Sequence, residues 1–249
     1  MIHKVKGVVL HHVKYKESSA VVYMYTDLFG RQAYLVHSIR GKKSRYPGNL
    51  LQSLTFLELE AYHKEGKELQ RIRELRNYIP YRSIPYDMQK SSQAMFLGEV
   101  LYRVLREEEP NRELYEFLEN SLQLLDVSDE NPANFHLLFL VQLTRFLGFY
   151  PVDNYGEGRT GFDMRNGHYG DGPVLHPDHF DSRSSELLHR MLGIGFGDIH
   201  KLSVNQEVRT QFLNDLMDYY RLHVHGLGKL KSLDILHEIF REEKEKSRE

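Results

Sequence analysis

The chain of 249 residues contains no cysteine. Disulfides, thiolate metal sites and cysteine nucleophiles are therefore excluded, which fits a reducing cytoplasm. It has no apolar run near the roughly 20 residues that cross a bilayer. The most apolar segment, His136 to Tyr150, is broken by Gln142, Thr144 and Arg145. Its first residues, MIHKVKGVVLHHVKYKE, are interrupted by charge throughout and lack the apolar stretch of a signal peptide. Walker A, G-x-S-x-G and kinase signatures are missing as well.

Two motif-like features carry little. Gly156-Glu-Gly-Arg-Thr-Gly161 spells G-x-G-x-x-G. A dinucleotide site needs a strand before it and a helix after it, whereas Pro151 precedes this one and Gly167, Gly170 and Gly172 follow. It reads as a turn-rich loop. The 14 histidines include His176, His179 and His168 near Asp178 and Asp181, the pair His223 and His225, and a His237-Glu that lacks the second histidine of H-E-x-x-H. None of these spacings brings three or four ligands together, so we expect no metal, no cofactor and no catalytic constellation.

What the chain does have is charge unevenly placed. Its net formal charge is only −2, but residues 1–80 hold 14 Lys+Arg and 7 Asp+Glu, a net of +7, leaving −9 for the rest. Such asymmetry suggests two units, one of them facing a polyanion. The positive charge is densest in Arg40-Gly-Lys-Lys-Ser-Arg-Tyr-Pro-Gly-Asn49. Hydrophobic residues, at 41%, suffice for real cores.

Residues 1–80 read as five short strands. They lie near Val5–Val13, Ala20–Thr26, Gln32–Ile39, Leu54–Tyr62 and Leu69–Leu75, with a tight turn at Asp27–Arg31, and they suggest a small antiparallel barrel. Tyr78 to Tyr86, with two prolines, marks the junction. From there the apolar period becomes helical. A first helix runs to about Glu109-Pro110, a second is capped by Asn111, and a third opens at Asn131 and runs through Phe149. Three more follow in 178–195, 205–225 and 229–246. The expected fold is α+β: a small antiparallel five-stranded barrel over 1–80, then a helical domain over 81–249. A glycine-rich insert at 150–177 interrupts the helices and should fold as a hairpin-like excursion.

Long cations on a loop follow a phosphate backbone, and flat rings stack on bases. Lys14, Lys16, Arg31, Arg40, Lys42, Lys43, Arg45 and Tyr46 are therefore the candidate nucleic-acid-binding residues, with Tyr15, Tyr23, Tyr25 and Tyr34 nearby. The alternative is an interaction adaptor whose barrel holds a protein. In the helical half, Arg145 is a candidate contact for an acidic, hydrophobic peptide.

The order and spacing of KVKGVVLHHVKYKESSAVVYMYTDLFGR, RGKKSRYPGNLLQSLTFLELEAY, LLFLVQLTRFLGFYPV and LNDLMDYYRLHVHGLGKLKSLDIL resemble the RecO family of bacterial recombination mediators over nearly the whole chain. The resemblance implies a cytoplasmic, nucleoid-associated DNA repair protein of the RecF pathway without turnover of its own. It implies that the barrel over 1–80 is an OB-fold followed by a helical domain, that the protein binds single- and double-stranded DNA, and that it anneals complementary strands. It also implies partnership with RecR, RecA loading, and binding of the C-terminal tail of single-strand-binding protein. Many members hold zinc through four cysteines in the insert. Here Tyr155, Gly158 and the turn near His168–Gly172 stand in those places, and glycine turns and packing are expected to hold the insert instead.

Overall fold

A computed structural model describes residues 1–37, 46, 48–128, 132–172 and 174–246. The chain divides into two compact units, Met1–Val127 and Ser128–Glu249.

The first unit is built on five strands: β1 (Ile2–Lys16), β2 (Ser19–Thr26), β3 (Gly30–His37), β4 (Phe56–Tyr62) and β5 (Leu69–Ile79). They close into a barrel in the order β1-β2-β3-β5-β4, with every pairing antiparallel except β3 with β5. Closure depends on the length of β1. Its first half, Ile2–Val8, pairs with β4, while Gly7 onward pairs with β2. Alternation then sorts the side chains. Ala20, Val22 and Met24 of β2, Tyr34 and Val36 of β3, and Leu57, Leu59 and Ala61 of β4 all enter one core with Val5, Val9 and Leu75.

Leu54, just before β4, has a φ of 66°. A left-handed leucine costs about 1–2 kcal/mol. The surroundings fix it there: its N–H donates to the Val9 carbonyl at 2.6 Å, its carbonyl accepts from the Tyr81 hydroxyl at 2.6 Å, and its side chain is fully buried.

Two helices complete this unit, α1 (Met88–Val104) and α2 (Arg112–Val127). Asp87 caps α1 by accepting from the Lys90 N–H, and Asn111 caps α2 by accepting from Leu114 N–H at 2.9 Å. The first helix ends earlier than its apolar pattern suggested. Leu105 turns extended, and the following residues approach the barrel, where Glu107 accepts the Arg31 N–H at 2.9 Å.

The second unit centres on α3 (Phe135–Leu147), which follows a 3-10 turn at Pro132–Asn134 and stops at Gly148, φ 82°. Leu137 through Val141 are all fully buried, as a central helix requires. Packed with it are α4 (Ser182–Leu192), α5 (Gln206–His223) and α6 (Lys231–Lys246). Tyr220 of α5 donates to the Leu140 carbonyl at 2.7 Å. The insert folds as a hairpin of β6 (Gly161–Asp163) and β7 (His168–Gly170), and Gly156 to Gly161 forms turns with no helix after them.

Candidate nucleic-acid interface

The barrel register decides which of the candidate cations meet. Ser19 pairs with both Lys16 and His37, and its hydroxyl lies 3.0 Å from His37 Nδ1. The β1-β2 hairpin tip and the end of β3 are thus at the same end of the barrel. Lys14 and Lys16 occupy that tip, where residues 12–18 are all exposed. His37, the last described residue of β3, comes three positions before the basic segment in the sequence. Arg40, Lys42, Lys43 and Arg45 themselves lie outside the described residues.

Arg31 is elsewhere. It sits beside the β2-β3 turn, six residues from His37, or about 20 Å along the strand. Its guanidinium Nη1 donates to the carbonyls of Tyr102 (2.9 Å) and Leu105 (2.7 Å) at the end of α1. The same group lies over the rings of Tyr23 and Tyr102, at 5.4 and 4.7 Å. Its bonding is that of a helix C-terminal clamp. Tyr46 also departs from the expected surface role. It is 9% exposed and packs in the barrel core with Leu51, so its ring is not offered to a base.

The remaining tyrosines divide by register. Tyr25 and Tyr34 are 2% and 1% exposed, and Tyr23 is half-buried against Tyr102. Tyr15, at the hairpin tip, is 55% exposed. Sequence alone grouped these rings, because alternation along a strand gives no absolute sense of inside until pairing is fixed.

Charge on the β1-β4-β5 face is compensated. Across β1, β4 and β5 the register makes rows of Lys4, Glu60 and Glu74, and of Lys6, Glu58 and Arg76. Arg73 pairs with Glu60 at 3.5 Å, and Arg76 with Glu58. By contrast the hairpin tip carries Lys14 and Lys16 with one carboxylate, Glu17. Beside the hairpin, His11 is held below its ordinary pKa by burial first, then by His12, Arg103 and Arg31, with Glu99 opposing. That ring therefore adds little positive charge at neutral pH.

In the second unit Arg145 is exposed in the last turn of α3, its guanidinium 4.7 Å from the Tyr150 ring. The insert's interior is aromatic. Phe162, Tyr169 and Phe180 are buried together, and Phe162 meets Tyr219 of α5 at 5.4 Å. Tyr155 stacks on His189 at 4.6 Å. The Tyr169 hydroxyl donates to the Ser185 carbonyl at 3.0 Å. Asp163 accepts from the backbone of Arg165 and Asn166 and from the Asn166 side chain, with His176 Nε2 3.3 Å away. Among the described residues no group of three His, Asp or Glu converges as metal ligands. With no thiolate in the chain and rings filling the interior, the donor set does not fit a zinc ion.

A closed barrel in this strand order is the OB-like architecture that oligonucleotide binders use, and it is followed by a helical region. Residues 1–78 match the family described as recombination protein O N terminal, and residues 85–234 match recombination protein O C terminal. The DNA repair protein RecO of Bacteroides fragilis is 40% identical over 242 residues, covering 96% of this chain and 100% of the relative. The Phocaeicola vulgatus protein of the same name is 39% identical over 241 residues, with the same coverage. That of Porphyromonas gingivalis is 32% identical over 239 residues, covering 94% and 98%. The chain belongs to the RecO family of DNA repair proteins.

Proposed function

We propose that this protein is a non-catalytic recombination mediator that binds single- and double-stranded DNA, anneals complementary single strands and, with RecR, assists RecA loading. The DNA-contacting residues are Lys14 and Lys16 at the barrel end, together with Arg40, Lys42, Lys43 and Arg45 of the basic segment that follows β3 in the sequence. The observation that carries this is the pairing of Ser19 with both Lys16 and His37, which joins the hairpin tip to the end of β3 that precedes the basic segment. The compensated rows on β1, β4 and β5 support the same choice of end, because a polyanion gains most where cations outnumber carboxylates. Arg145 beside Tyr150 is a cation next to an apolar ring. That is the chemistry that the carboxylate-ended tail of single-strand-binding protein would need. A cytoplasmic, nucleoid-associated protein fits this role, and we place its functional boundary near residue 80, where strands give way to helices.

Fluorescence anisotropy with single- and double-stranded oligonucleotides over a salt series tests the proposal. Replacing Arg40, Lys42, Lys43 and Arg45 together by alanine should weaken binding. It should also reduce the salt slope by about 0.7 for each single-strand phosphate that is no longer neutralised. An unchanged slope would overturn the assignment and favour a barrel that holds a partner protein.

A further inference from the structure

We infer that Tyr15 is a base-stacking residue that makes this barrel end prefer unpaired over paired DNA. This role rests on the DNA-binding reading above and gives one side chain the ability to sense unpaired bases.

Lys14 pairs with Ala20 and Lys16 with Ser19, so the pairing slips by one residue and Tyr15 is the extra one. A bulge of this kind breaks strict alternation and re-aims a side chain. The consequence is visible in the neighbours. In an unbroken strand adjacent side chains leave on opposite faces, yet here the Lys16 Nζ lies 5.7 Å from the centre of the Tyr15 ring. A flat ring and a cation are therefore presented together, with Lys14 adjacent, on a tip whose residues 12–18 are all exposed.

Tyr15 is also set apart from the other tyrosines of the three-strand run. Tyr25 and Tyr34 are taken up by packing, and Tyr23 is held by Arg31 and Tyr102. An aromatic ring more than half exposed to water gains by stacking on another flat apolar surface. Bases within a duplex are already stacked on their neighbours, whereas those of a single strand have a π-face to offer. The lysines, reading phosphate alone, make no such distinction.

The test uses the full chain and three fluorescein-labelled probes: oligo-dT, an oligonucleotide of the same length with abasic sugars, and a blunt duplex. Tyr15→Ala should weaken oligo-dT binding about tenfold, the scale of one stacked base, while abasic and duplex affinities stay within about twofold. Tyr15→Phe, which keeps the ring, should retain oligo-dT affinity. Lys14→Ala with Lys16→Ala should weaken all three probes and lower the salt slope. Stacking is overturned if Tyr15→Ala leaves oligo-dT unchanged, or weakens all three probes equally as a shape defect would. If the unaltered protein binds none of the three, the DNA-binding reading falls with it, and the exposed ring is then a contact for a protein partner. Lysine variants that weaken binding while Tyr15→Ala does not would sink the stacking role alone.

Discussion

The Asp126 carboxylate, at the end of α2, accepts the backbone N–H of Ile84 at 2.9 Å across 42 residues of sequence. It also accepts from Arg82 N–H at 2.7 Å and Ser83 N–H at 2.8 Å, so three consecutive amides of the segment after the barrel converge on one side chain. Lys90 completes the arrangement. Its buried ammonium donates to the Ser83 hydroxyl at 2.7 Å and to the Asp126 carbonyl at 3.0 Å. Burial on its own would raise the Asp126 pKa, but the amides of Ile84, Arg82 and Ser83, with Lys90, more than offset it and leave the group below its ordinary value.

Asp126→Ala should therefore cost roughly 3 kcal/mol, since three amides lose a charged acceptor at once. Asp126→Asn should cost less, because one carbonyl oxygen remains. Urea unfolding at pH 7 measures both. Because the folded pKa is depressed, the carboxylate's contribution is present above the unfolded value near 3.8 and is lost as pH falls through the folded one. The gap between the unaltered protein and Asp126→Asn should narrow as the pH falls below 3.8. A gap that does not narrow at all below that pH would count against the amide clamp.

His136 gives the second unit a different acid response. Wholly enclosed in α3, it is pushed down to about 3, by burial first and then by Arg209 and His237. It stays neutral when folded and takes a proton below about 6.5 when unfolded. Stability should fall by about 1.4 kcal/mol for each pH unit below 6.5, continuing toward 3. A His136→Leu variant should lose that share of the slope. Thermal melts between pH 7 and 4 are the check, and equal slopes in both proteins would refute it.

Gly30 and Gly66 separate backbone strain from steric clash. Both have positive φ, 56° and 71°. A Cβ on Gly66 meets nothing within 4 Å, so Gly66→Ala should cost about 1 kcal/mol. On Gly30 it would lie 2.4 Å from the Glu109 carbonyl oxygen and 2.8 Å from that of Glu107. Backbone cannot swing aside as a flexible side chain can. Gly30→Ala should cost roughly 3 kcal/mol or more, placing it among the severe substitutions. Denaturant midpoints of the two variants give the comparison.

Arg31 should behave as a structural residue. Arg31→Lys loses the planar fork that reaches two carbonyls and the stacking on Tyr23 and Tyr102, and should cost about 2 kcal/mol. The oligonucleotide salt slope of Arg31→Ala, which removes the charge, should match that of the unaltered protein at a temperature where both are folded. A single-strand slope lowered by about 0.7 would return Arg31 to the DNA surface.

The insert should be indifferent to metal. Its rings and the Asp163 turn do the packing, so chelator or added zinc should leave the thermal midpoint unchanged. Tyr169→Phe, without the bond to Ser185, should cost about 1 kcal/mol. A chelator-induced drop of several degrees would contradict an insert held by packing alone.

The sequence by itself determined the succession of elements. Period-two runs became strands, the apolar stretch expected as a helix from Asn131 through Phe149 became the shorter buried helix α3, Phe135–Leu147, and Asn111 ended up at a helix end, because these signals are local and need only neighbours a few residues away. It also placed the surplus of positive charge in the first 80 residues. Only the tertiary structure decided which side chains that surplus leaves available. Arg31 turned to α1, Tyr46 turned into the core, and Tyr15 was carried outward by a one-residue slip in pairing. The early end of α1 and the Asp126 clamp were hidden for the same reason. Each depends on partners tens of residues away, and register between distant strands and helices is set by the closing of the barrel and its core, not by any local pattern.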